Sequence, residues 1–303
     1  MTLRQRTEKT IDRAIQLVLS PRSRAFGERA ILAVAISSYV VHLILITLVH
    51  WGLIVSESRF LTSPISAIYT PFSFILVYEV YLLIFHLPQS TSSYIGKQYE
   101  IITLIVIRRI FKDIGTLELS LPWFENDNDL QFTYDAVTSL LLFFLLYLFY
   151  HKIRRRHPIK TDESLRFERR TSEFVLLKKS LSVLLVPTLL MLAVYSLWHW
   201  VMLAINDSSY GIDALTKINS IFFEEFFTIL IMVDVFILLA SFFYSDRFHT
   251  IIRNSGFVIS TVLIKVSFSV SGVLNNLLIL GSVLFGLAIL YIHDLFERQT
   301  TRD

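Results

Sequence analysis

A chain of 303 residues that is 54% apolar, 14% aromatic and only 17% charged, with a mean hydropathy of +0.59, is too poor in charge to be a soluble domain, which carries about 25%. Twenty-five Phe against nine Gly and seven Pro exclude disordered, collagen-like and low-complexity classes. The net charge of +3 gives no argument for nucleic-acid binding, and the absence of Cys excludes thiolate catalysis, disulfides and Cys-ligated metals. The composition is that of an all-α, polytopic integral membrane protein.

Residues 1–29 have no apolar core of secretory-signal length and carry seven Lys or Arg. Ile11, Ile15 and Val18 recur at helical spacing, Arg4, Arg6, Lys9 and Arg13 supply cationic side chains, and Ser20-Pro21 ends the run. This predicts a basic amphipathic surface helix or tail lying on anionic lipid headgroups of the cytoplasmic leaflet.

A spanning helix needs about 20 mostly apolar residues. Such stretches fall at 30–55, 66–87, 96–112, 132–151, 181–205, 222–244, 256–272 and 274–293, so about eight transmembrane helices are expected. The third is the weakest, because its uninterrupted apolar run is only Ile101 to Ile107. The last two meet tightly around Ser271-Gly272 and Asn275-Asn276, which leaves a re-entrant element open there.

Cytoplasmic loops collect Lys and Arg. With eight spans and a cytoplasmic N-terminus, 22 of the 28 basic residues fall on one side, while Glu118, Glu125, Asp127, Asp129, Asp207 and Asp213 fall on the other. The expected layout is therefore a multi-pass protein of the plasma (inner) membrane with both termini cytoplasmic. It comprises a tail at 1–29, a first membrane repeat at 30–151, a basic linker at 152–180, a second repeat at 181–293 and a tail at 294–303. The linker starts a new helix near Thr161-Asp162-Glu163.

The repeats rest on four matches in the same order. His50-Trp51 pairs with His199-Trp200, and the acid of LVYEVYLLIF, Glu79, pairs with that of IMVDVFILLA, Asp234. IITLIVIR, ending at Arg108, pairs with VISTVLIK, ending at Lys265; LFFLLYLFYH pairs with LFGLAILYIH. The acid-to-base separations are 29 and 31 residues. Four spans per unit is an even number, so two parallel four-helix repeats are expected, with a groove or path where the halves meet.

An ionised group at the bilayer centre costs at least about 2.5–3.5 kcal/mol, so such groups pair and mark pathways. At about 1.5 Å per residue, Asp234 and Lys265 lie roughly 18 and 16 Å from their cytoplasmic ends, and Glu79 and Arg108 roughly 12 and 16–18 Å. Two readings compete: static Glu79–Arg108 and Asp234–Lys265 pairs that lock helices, or an ion pathway in which the acids bind a cation or proton and the bases hold or release them. Arg109 stands beside Arg108, and His42 inside the first span is a candidate proton relay. His50, His151, His199 and His293 lie near span ends, with Trp51, Trp123, Trp198 and Trp200 as an interfacial aromatic belt.

Other signals are weaker. Glu125 to Asp129 lacks the Gly and later Glu of a calcium loop, and Asn206-Asp207-Ser208 is a bare sequon. Glu224-Glu225 reads as a solvated rim, and Ser282 with Gly286 forms a small-xxx-small pair suited to close helix packing. Walker A, dinucleotide, zinc-protease and nucleophile-elbow motifs are missing, as are a potassium filter and the regularly spaced arginines of a voltage sensor. The resulting expectation is a non-enzymatic transport protein or channel without cofactor or resident metal. It would move a monovalent cation or a proton-linked solute along the interface between repeats, in contact with the bilayer, with a homo-oligomer among its partners. The alternative is a scaffold or subunit that recruits a cytoplasmic partner; a lipid-modifying membrane enzyme is a third, lesser reading. The sidedness is checked by accessibility tags: one at Asp127 is expected to be reached from outside and one at Lys160 from inside, and both on one side overturns the eight-span layout.

Overall fold

The computed structural model describes residues 16, 19–55, 59–62, 64–114, 127–154, 164–206, 212–244 and 248–300. All regular structure in them is helical: α1 (Pro21–His50), α2 (Arg59–Thr62), a 3-10 turn (Pro64–Ile68), α3 (Tyr69–His86), α4 (Thr91–Ile114), α5 (Asp127–Arg154), α6 (Ser164–Asn206), α7 (Ile212–Tyr244), α8 (Phe248–Phe268) and α9 (Gly272–Thr300).

Local chemistry sets several ends. Ser20 caps α1 by accepting from the Ser23 amide at 3.1 Å, and Pro21 takes the first turn, where its missing N–H is harmless. Residues 21–29, expected in the surface tail, therefore open the first long helix instead. The amphipathic pattern at Ile11, Ile15 and Val18 lies outside the described residues, as do Glu125 and Asn126 of the expected outer loop; Asp127 to Asp129 instead open α5, with Asp129 fully buried. α6 begins just after Thr161-Asp162-Glu163 and runs 43 residues to Asn206, with Pro187 inside it.

Among the described residues, six helices are long and apolar enough to cross a membrane: Pro21–His50, Asp129–Arg154, Glu173–Ser196, Glu225–Tyr244, Phe248–Phe268 and Gly272–Glu297. Two of the eight expected spans do not meet both conditions. Thr70–His86 is apolar but short, and α4 has the length but carries Lys97, Glu100, Arg108, Arg109, Lys112 and Asp113. The last two spans, by contrast, are two long helices joined through residues 269–271, with Gly272 at φ +68° making the turn.

Burial runs opposite to that of a water-soluble protein. Phe143, Phe144, Tyr147, Met232, Phe236 and Leu284 are at least half exposed, while Gln98, Ser260, Thr261, Ser267 and Ser282 are fully buried or nearly so. Large apolar faces turned outward around a polar interior suit a lipid environment, and the chain is a multi-pass helical membrane protein.

Contacts divide the chain into two units, Met1–Phe85 with Ser182–Phe226 and His86–Leu181 with Phe227–Asp303, which cut across the two sequence halves. In the first, His42 Nδ1 lies 2.6 Å from Thr70 Oγ1, the Tyr78 hydroxyl donates to Glu28 at 3.2 Å, and the Arg24 guanidinium sits 5.3 Å from the centre of the Phe85 ring. In the second, α4 packs on α5 and α8 on α9, while α5 meets α9 and α4 meets α8 and α9.

Close approach in this second unit depends on small residues. Tyr99 is completely buried; its hydroxyl shares a 2.7 Å hydrogen bond with Ser260, and Ser282 donates to the Ser260 carbonyl at 2.9 Å. The Tyr99 hydroxyl lies against Gly286, where an added Cβ would fall 1.7 Å away, and one on Gly256 would meet Ile289 at 2.7 Å. Ser282 and Gly286 thus pack as their spacing suggests. Gly286→Ala is expected to lower thermal stability in detergent by about 1–3 kcal/mol through overpacking, with partial rescue by Tyr99→Phe. Gly281→Ala, which meets nothing within 4 Å, is the control and is expected to leave the melting temperature unchanged.

Candidate functional site

Polar groups of the second unit gather at two levels. The first forms where α4 ends and α5 and α9 begin. Arg109 continues the buried stripe Gln98, Ile102, Val106 of α4, so its side chain points inward, whereas Arg108 is turned back and its Nε donates to the Leu104 carbonyl at 3.3 Å. Asp135, on α5, is fully buried and meets Arg109 Nε at 3.0 Å and a terminal guanidinium nitrogen at 3.2 Å. The same Asp135 carboxylate accepts from Asn276 at 2.7 Å and Gln131 at 2.8 Å. Arg109 donates in turn to the side-chain oxygens of Asn275 and Asn276. Asn275 then donates to the Ser267 carbonyl in the last turn of α8 and to the Val270 carbonyl just beyond it.

The second level surrounds Asp234 on α7, which is 5% exposed. Its carboxylate accepts from Gln98 Nε2 at 3.1 Å, while Gln98 Oε1 accepts from the Thr261 hydroxyl at 2.8 Å. This fixes which way the Gln98 amide faces: its NH2 group is held toward the acid. Beside Asp234 lies a cavity lined also by Tyr94, Lys178, Asn254, Leu87 and Phe257, with about 20 Å³ open to a water-sized sphere, room for one water.

Lys178, from α6, is 4% exposed, donates to the Gln89 carbonyl at 3.2 Å and lies 4.9 Å from the centre of the Phe174 ring. It sits in the fields of both Asp234 and Arg253, and Arg253 donates to Asn254 at 3.1 Å. The Tyr94 hydroxyl, on a residue 3% exposed, faces Asp234 and Gln98 without reaching hydrogen-bond geometry to either. Acid, amine and phenol thus converge on a space of solvent size.

Of the pairs expected from sequence, Asp234 and Lys265 are bound to other side chains. Lys265 donates to Thr228 at 2.6 Å, and Thr228 precedes Asp234 by six residues, or about 9 Å of helix rise, so this acid and base take separate partners. Glu79 is buried on α3 at 6% exposure, and His42 is buried on α1 against Thr70. Trp51 and Trp198 are exposed, whereas His293 is buried with its ring 5.1 Å from that of His249; the side chains of His199 and Trp200 lie outside the described residues.

Asp135, Gln98, Tyr94 and Lys178 were not among the sequence candidates. Asp135 had a usable signal, an acid within the expected fourth span; Lys178 was hidden in the basic linker. Among the described residues, no group of three or more His, Asp or Glu is arranged to hold a metal ion. No family model, curated protein or solved structure matches the chain.

Asp135→Ala leaves the Arg109 guanidinium facing an empty carboxylate site. Breaking a buried pair costs about 3–5 kcal/mol. With Arg109 29% exposed, a loss of about 3 kcal/mol, the lower end of that range, is expected in detergent unfolding. Arg108→Gln is expected to change little.

Proposed function

We propose that the chain is a membrane transport protein that translocates a cation or a proton-linked solute, with Asp234 as the group that carries charge. One observation carries the reading: a buried carboxylate shares a water-sized cavity with a buried lysine and a phenol. Ionisable groups inside a membrane protein are costly. Asp135 is held by an ion pair with Arg109 and by amide donors from Gln131 and Asn276, whereas Asp234 faces space.

The cavity is lined from both sequence halves, Tyr94 from the first and Asp234 and Asn254 from the second, in keeping with a path along their junction. The α4–α5 and α8–α9 hairpins, which are equivalents in the sequence repeat, pack together in one bundle, and this supports duplication. In the proposed arrangement α3 and α4 complete eight membrane-embedded helices and both termini are cytoplasmic. The basic linker faces anionic headgroups of the plasma membrane.

A second reading, a scaffold that recruits a cytoplasmic partner, is favoured by the bonds held by Arg109, Lys152 and Lys265. Reconstitution separates the two. In liposomes with an imposed potential, the protein is expected to conduct protons or monovalent cations, with flux reduced at least about tenfold by Asp234→Asn, equivalent to a barrier increase of about 1.4 kcal/mol, and retained in Arg108→Gln. Absence of flux in the folded wild-type protein leaves the scaffold.

A further inference from the structure

Resting on that transport reading, we propose that the species exchanged at Asp234 is a proton delivered through a single cavity water, with Lys178 as its counter-ion, and that the site excludes metal cations. Three features of the cavity point this way.

The first is size and ligand number. The space admits about one water, whereas hard cations such as calcium or magnesium take about six or more oxygen ligands. Several of the oxygens near Asp234 are already used: Gln98 Oε1 accepts from Thr261, and Asn254 Oδ1 accepts from Arg253. Gln98 turns its NH2 group toward the acid, a donor that a metal ion would repel. The carboxylate and the hydroxyls of Tyr94 and Thr91 remain, too few to replace a hydration shell.

The second is resident charge. Lys178, from α6, already brings a positive charge to the cavity wall, and Arg253, from α8, stands close enough to act on Lys178. A metal ion would enter against both. A proton needs no new position: the Asp234 carboxylate takes a proton from hydronium in the cavity, becoming a neutral carboxyl and leaving water, and the reverse step returns it.

The third is the buried phenol. The Tyr94 hydroxyl, from α4, faces Asp234 and Gln98 short of hydrogen-bond geometry, in the place from which it can hold the cavity water against the carboxylate. Among the described residues, α4, α6, α7 and α8 supply Tyr94, Lys178, Asp234 and Arg253, the charged and titratable groups around the space. Loss of the Asp234 charge weakens the pull on Lys178, which is also tied to the Gln89 carbonyl ahead of α4. Proton uptake is thereby coupled to the junction of α3 and α4.

Infrared difference spectroscopy on the full chain in lipid bilayers, cycled through pH in sodium, potassium or a bulky organic cation, reads the acid directly. The expected result is a protonated-carboxyl band that is lost in Asp234→Asn, persists to higher pH in Lys178→Gln and is the same in all three cations. A band displaced by sodium or potassium overturns the proposal, as does the absence of any pH-dependent carboxyl band that these variants alter. The cation exchange needs no substitution, so a poorly folded variant does not block the test. The band is read without transport, so a protein that shows it but moves no ions in liposomes loses the transport reading alone.

Discussion

The ion pair between Arg109 and Asp135 is the constraint around which the second unit is organised. In a surrounding that offers no water, a guanidinium and a carboxylate can persist only if nearly every donor and acceptor is met. Meeting them enlists Gln131 from α5 and Asn275 and Asn276 from α9, while Asn275 reaches the last carbonyls of α8. Four helices are therefore fixed at one end by hydrogen bonds whose directions tolerate little rotation. A buried ion pair rarely adds net stability over a well-packed apolar replacement; here its contribution is to select one register for α4, α5, α8 and α9.

That register determines what happens farther along the bundle. With Arg109 directed inward, the stripe that includes Val106, Ile102 and Gln98 must also face inward, and Tyr99 is brought over Gly286 and beside Ser260. The same rotation presents Gln98 to Asp234 and, about one turn nearer the start of α4, Tyr94 to the cavity. The two polar levels differ in completeness. Around Asp135 the acid has an ion-pair partner and two amide donors. Around Asp234 the hydrogen bond from Gln98 is accompanied by a phenol without suitable geometry and by open volume. Low dielectric makes completed networks rigid and incomplete ones expensive; an expensive group retained beside a cavity is where exchange with a ligand has a physical basis.

Much of this was legible in sequence as composition and position along the chain, and much less as pairing. Apolar length located the helices, Ser20-Pro21 marked a boundary, and the spacing of Ser282 and Gly286 revealed a close contact. Asp234 and Arg109 stood out because charge inside an apolar run is conspicuous. Their partners were concealed for separate reasons. Equal depth suggested Asp234 with Lys265, but depth says nothing about the direction in which a helix faces, and Lys265 meets Thr228. Gln98 is uncharged, so it gave no signal; Lys178 was counted with the basic linker because hydropathy cannot show that α6 continues unbroken through it. The weakness of the third span had a physical meaning as well: α4 is polar because its polar side chains serve the interior of the bundle.

On the proposed duplication, the two halves have kept a scaffold and parted in chemistry. The repeat register sets Lys178 opposite Arg29, Asp135 opposite Leu277 and Arg109 opposite Val266. Lys178 is buried beside an acid, whereas Arg29 is exposed; Asp135 and Arg109 make an ion pair that an apolar Leu and Val cannot reproduce. Glu79 retains a buried acid at the position equivalent to Asp234, but the register provides no buried lysine at the position equivalent to Lys178. A symmetric pathway would need both acids to meet equivalent surroundings, and the substitutions remove that equivalence. On that reading the proposed chemistry concentrates in one partly satisfied polar cluster beside a water-sized cavity, and the proposed duplication supplies its helical frame.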